Sequence, residues 1–168
     1  MNKHILEKLH FIGGITPVNL ATGANNGDVV SLKNFGRMAV VLYKGAGAAA
    51  EDIVIKVEQC SSVAASDPKP LNFTRVDIMS TSPALTALNE FTTVTQAEAN
   101  SFSASTLGEN EAIVVIDFKA EDLDVDNGFD CLRATIADAG TTSQIGGVLY
   151  IGHEPRYATV PMKSAIVD

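Results

Sequence analysis

From Gly27 onward the apolar residues come in short runs broken by turn residues. The runs are "DVVSL" (28–32), "MAVVLYKG" (38–45), "IVIKVEQC" (53–60), "LNFTRVDIMS" (71–80), "FTTVTQ" (91–96), "AIVVIDF" (112–118), "FDCLRATIA" (129–137) and "IGGVLYIG" (145–152). In the third run Ile53, Ile55 and Val57 share one face while Lys56 and Glu58 share the other. That alternation is the period of a half-buried strand. In the fourth run it places Thr74, Val76 and Ile78 on one side and Phe73, Arg75, Asp77 and Met79 on the other. "MAVVLYKG" is nearly continuous apolar, which predicts a strand covered on both faces. "FTTVTQ" is β-branched and polar, which suits an exposed strand. "SSVAASDPKP" carries two prolines and cannot be an inner strand. Strands at this spacing with almost no helix predict an all-β chain, an antiparallel β-sandwich or jelly roll.

The first fourteen residues differ. "HILEKLHF" sets Ile5, Leu6, Leu9 and Phe11 close to helical spacing, and Gly13-Gly14 then breaks the pattern. The expected organisation is an N-terminal arm (1–14) and one sandwich domain (15–168). The arm is either a strand added to the domain or a segment that docks on a neighbour. The tail after the last run, "HEPRYATVPMKSAIVD", has two prolines and is expected on the surface.

With 168 residues the chain can bury a sizeable core, and its 46% hydrophobic and 19% charged residues are a globular balance. The charge is −8, from 12 basic and 20 acidic residues. An acidic surface argues against binding a phosphate backbone and against docking on anionic lipid. No apolar run approaches the length that spans a membrane, and Lys8 and His10 interrupt any signal-like stretch. Cys60 and Cys131 read as reduced, buried small hydrophobes, and with three scattered histidines they give no zinc spacing.

The densest candidate chemistry is "EDLDVDNGFD" (121–130), five carboxylates and a glycine in ten positions. Counted as an EF-hand from Asp122, Asp124 and Asp126 fall correctly, but Gly128 comes one residue late and Arg133 stands where the closing carboxylate belongs. A looser single-ion loop stays open. The simpler reading is a type I′ turn at Asn127-Gly128 with solvated acids around it. No nucleophile elbow, zinc-protease motif or P-loop is present. His153 beside Glu154 lacks a Ser or Cys partner in sequence, and Asp117, in an apolar run, reads as a structural hydrogen-bond acceptor. The expectation is no enzyme and no cofactor. A sugar-binding module would fit the fold, but it wants an aromatic platform, and the chain has no Trp and three Tyr: Tyr43, Tyr150 and Tyr157.

Three segments taken together, "GDVVSLKNFGRMAVVLYKGAG", "EDLDVDNGFDCLRATIAD" and "QIGGVLYIGHEPRYA", resemble a family of small tailed-bacteriophage virion proteins similar to head decoration, or cement, proteins. The resemblance runs from about residue 12 to the end of the chain. It implies a β-sandwich subunit that coats the capsid exterior, is assembled in the host cytoplasm and has no catalytic residues. The implied partners are the major capsid protein and further copies of itself, with a trimer favoured over a dimer, and neither nucleic acid nor membrane. The residues expected to touch a partner are Ile5, Leu6, Leu9 and Phe11 of the arm, with Arg156 and Tyr157 after the last strand. A tail or head-fibre component is the alternative within that family.

Overall fold

The computed structural model describes residues 4–81, 90–104, 107–156 and 164–166. Its strands are β1 (His10–Asn19), β2 (Asn25–Asn26), β3 (Val30–Ser31), β4 (Phe35–Lys44), β5 (Ile55–Cys60), β6 (Lys69–Pro70), β7 (Phe73–Thr81), β8 (Thr92–Ala99), β9 (Ser101–Phe102), β10 (Glu111–Lys119), β11 (Cys131–Ile136) and β12 (Ile145–Pro155). They form two antiparallel sheets. The first runs β1-β12-β4-β10-β7-β8, and the second runs β2-β11-β5-β6 with β3 beside β11 and β9 beside β5. This is the all-β sandwich that the alternating runs predict.

The core lies between the sheets because each long strand turns every second side chain inward. Met38, Val40 and Leu42 of β4, Val114, Ile116 and Phe118 of β10, and Val148 and Tyr150 of β12 come from the first sheet. Ile55 and Val57 of β5 and Leu132, Ala134 and Ile136 of β11 meet them from the second. Each large apolar side chain buried this way contributes about 1.5–3 kcal/mol. Tyr150 spans the gap, and its hydroxyl accepts the Ala134 N–H at 2.8 Å. Burial pushes its phenol pKa up. A cation is buried as well. Lys44, 1% exposed, ends β4 and donates from Nζ to the carbonyls of Leu107, Gly108 and Asn110.

Five expectations change. Within the tail expected on the surface, residues 153–155 complete β12 and Ala165 is buried in the core. β4 is not covered on both faces: Ala39 and Val41 are half-buried and Tyr43 is exposed. The run reads as continuous because its outward positions are apolar too. In β7 a register shift between Phe73 and Arg75 turns Phe73 into the core with Val76, so strict alternation fails there. Of the two readings of the first fourteen residues, residues 10–13 follow the strand added to the domain, and the boundary expected at residue 14 falls inside β1. Residues 10–13 pair with β12, and the register slips between Gly13 and Ile15. A Cβ on Gly14 would come 2.6 Å from the Tyr150 ring, so glycine lets β1 pass over that ring. Finally, Asn127-Gly128 is not a type I′ turn. Val125–Asn127 is a 3-10 turn, and Gly128 alone takes the left-handed conformation, at φ 84°.

Three acids of that stretch have partners within the chain that tie them down. Asp122 accepts the Lys119 N–H, and Asp124 accepts from Lys69 and Asn127, which holds its carboxyl below the usual range. Asp130 lies 3.8 Å from Lys33. Among the described residues no three His, Cys, Asp or Glu side chains gather as metal ligands, and no helix is long and apolar enough to cross a membrane.

Candidate functional site

The outward faces of the two sheets differ in kind. On the second sheet the outward residues of the central ladder are Lys56, Glu58, Arg133 and Thr135, and Arg133 Nε donates to Glu58 at 2.7 Å. On the first sheet the outward rows are largely apolar. The register aligns Gly13, Leu149, Val41 and Val115 across four strands, followed by Asp77 and Thr93. The next row is Gly147, Tyr43, Ile113 and Met79. On the other side lie Phe11, Ile151, Ala39 and Asp117. Tyr43 is 60% exposed, Ile145 55% and Phe91 51%. These side chains cluster on one face rather than lying scattered singly.

The two glycines shape that face. Gly13 and Gly147 leave a groove of about 520 Å³ walled by Pro17, Val41, Tyr43, Ile145 and Leu149. At Gly147 a Cβ would lie 2.6 Å from the Ile15 carbonyl oxygen, so β1 can approach only glycine there. At Gly13 a Cβ would meet nothing within 4 Å, because it would point into the open groove.

The charges at the margins of the face are paired. Asp77 accepts from Arg75 and Thr93, which together hold its carboxyl below the usual range. Asp117 accepts from both Nε and Nη2 of Arg37, and His153 Nε2 lies 2.9 Å from its other oxygen. His153 and Asp117, separate in the sequence reading, therefore meet directly, with Arg37 on the other carboxylate oxygen, because β10, β4 and β12 are neighbours. Both carboxylate oxygens are engaged, and the arrangement holds an ion pair at the surface. Asp77 and Asp117 beside the apolar rows are thus both paired, in a chain of charge −8.

The described residues among those expected to touch a partner fall at one end of this sheet. Ile5 and Leu6 are exposed on a 3-10 turn, Ile5–Glu7, leading into β1. Leu9 is half-buried. Phe11 is exposed opposite Ile151, so it continues the apolar face. Arg156 is exposed beside Arg37, Lys119 and Glu154, and its N–H donates to Asn34 O at 3.0 Å. Tyr157 lies outside the described residues. The residues that sequence reasoning missed, Val41, Ile113, Val115, Ile145 and Leu149, sit in strands it had identified. Their apolar character was visible, but their outward direction was not.

No family model and no curated protein matches the chain. Among solved structures it is similar to the SPBc2 prophage-derived protein YomS, at 12% identity and TM-score 0.46, over 86% of this chain and 91% of that one. It is similar to the CBM22-1 and GH10 modules of an endo-1,4-beta-D-xylanase from Clostridium thermocellum complexed with xylohexaose, at 11% identity and TM-score 0.36, over 92% of this chain and 27% of that one. A third likeness is to an alginate lyase of polysaccharide lyase family 7, at 13% identity and TM-score 0.27, over 71% and 64%. At these TM-scores none of the three carries an argument about this chain.

Proposed function

We propose that this protein is a non-catalytic structural subunit of a tailed-phage virion, a decoration protein that binds the outside of the major capsid protein lattice. The observation that carries the proposal is the contrast between the two outward faces. One is charged and paired, as suits solvent, and the other is apolar with a groove. The resemblance of the three segments to virion proteins supports the same reading. The apolar face is the docking side, with Phe11 and the exposed Ile5 and Leu6 extending it at one end. The acidic surface keeps copies soluble and faces away from packaged DNA. Binding the assembled lattice better than free coat protein holds the shell closed by mass action. Copies self-associate as a closed ring matching local lattice symmetry, a trimer before a dimer.

The test is co-sedimentation of the purified protein with undecorated capsids of its own phage. Saturable binding at a fixed ratio to coat subunits is expected, and Tyr43→Asp combined with Leu149→Asp abolishes it while leaving the melting temperature near that of the parent. If both proteins bind equally, the apolar face is not the docking side. If neither binds, the decoration reading falls. A glycan screen then tests the sugar-binding alternative, for which the exposed Tyr43 at the groove is the specific observation.

A further inference from the structure

Cys60 ends β5 and Cys131 begins β11, and the register sets them directly opposite one another. Both are thiols in the structure. Both follow the outward alternation of Lys56 and Glu58 on one strand and Arg133 and Thr135 on the other. Yet both are fully buried, in a small cluster with Val29, Val63 and Ala65 that is separate from the main core. Two sulfurs on one face of one ladder, under their own cover, are not needed to fill the sandwich.

The ladder fixes their separation. Val57 N–H donates to Asn100 O and Val57 O accepts from Leu71, so both point away from β11. Its partner Ala134 likewise turns its O to Gly27 and its N–H to the Tyr150 hydroxyl. Val57 and Ala134 are therefore a non-hydrogen-bonded pair. Pair types alternate, so Cys60 and Cys131, three steps along, are a hydrogen-bonded pair with Cα atoms about 5.5 Å apart. That lies inside the roughly 4.4–6.8 Å range a disulfide spans.

We propose that Cys60 and Cys131 are a redox-responsive pair that closes to an intrachain cross-strand disulfide on exposure to a low-molecular-weight disulfide. The thiolate of one cysteine attacks glutathione disulfide, forming a mixed disulfide and expelling one glutathione thiolate. The second cysteine thiolate attacks the protein sulfur of that mixed disulfide and expels the other glutathione. The two cysteine protons end on two glutathione thiols, and the protein loses two electrons. Two features set the character of the bond. Burial raises the Cys60 thiol pKa, so reaction waits on opening of the cover at 61–65. Opposed Cβ atoms in such a pair stand about 5 Å apart, wider than the roughly 4 Å of a relaxed disulfide. The strands must draw together, which makes the bond easily reduced. The proposal is independent of what the protein docks on.

The experiment poises the full-length protein in graded mixtures of reduced and oxidised glutathione, with one set held native and one refolded from urea in the same buffers. Acid quenching, alkylation and mass spectrometry follow. The expected product is a monomer lighter by two hydrogens, with the two cysteine peptides joined, returning to dithiol in mixtures well short of fully reducing. Cys60→Ser should give only a glutathione adduct at Cys131. Glutathione adducts, interchain dimers or unmodified thiols in the refolded set, where access is not limiting, would overturn the proposal. A bond that survives the most reducing mixtures would overturn its labile character.

Discussion

Lys44 shows how one residue can be structural while looking functional. A lysine at the end of an apolar strand invites a catalytic reading, yet its ammonium is caged by three carbonyls of the 107–110 turn. Lys44→Met removes the donor and leaves those carbonyls unsatisfied, so it should lower unfolding stability by about 2–3 kcal/mol in urea titrations. Burial also lowers the lysine pKa from 10.5 to about 8, against the opposing charges of Glu109 and Asp52. Between those two values the unfolded chain holds a proton that the native one has released, so this residue's contribution to stability rises with pH. Below about 8 both states are protonated and the contribution is flat. The difference between parent and variant should therefore widen through that window; a constant difference would show that the carbonyls hold the proton against burial. Glu51 is a second residue of this kind. N–H groups of Thr141 and Thr142 and the Thr141 hydroxyl hold its carboxyl down to about 2, which fastens the 45–52 loop to the turn before β12.

At the scale of elements, β1 and β12 decide the groove. β12 carries glycines at 146, 147 and 152, and β1 crosses it with two register slips. The two groove glycines make opposite predictions. Gly147→Ala forces a methyl against the Ile15 carbonyl and should destabilise by about 1–3 kcal/mol, read as a lower melting temperature. Gly13→Leu meets open space, should fold normally, and should fill the groove and weaken capsid binding. Equal stability of the two variants would mean that β1 does not pack on β12 as described. A sequence reader sees glycine in both places, one breaking the spacing of the arm and the other inside a strand-like run. Only the pairing separates the glycine that a neighbour needs from the one that leaves a space. The other edge of this sheet, β8, matches its expectation: "FTTVTQ" is an exposed strand because its β-branched polar residues have a neighbour on one side only.

For the whole molecule, the balance is between an apolar face and a net charge of −8. Long-range repulsion keeps dilute copies apart, and salt screens it over about 10 Å. If copies self-associate through the apolar rows, light scattering should show the oligomer growing with salt, with Tyr43→Asp shifting the protein to monomer. Association that weakens with salt would place the contact on charged groups such as Arg37 or Arg156 instead.

The sequence by itself determined the all-β class, the positions of the longer strands after Gly27 and the exposed polar strand, but not β1. These are local properties: side-chain period, β-branching and turn residues act within a few neighbours. The tertiary structure decided which face of β4 looks outward, that Phe73 turns inward at a bulge, and that Arg37, Asp117 and His153 meet. It also decided that Cys60 faces Cys131. Each of these depends on strand order and register, which bring residues as far apart in the chain as Arg37 and His153 together through pairings that no local pattern encodes.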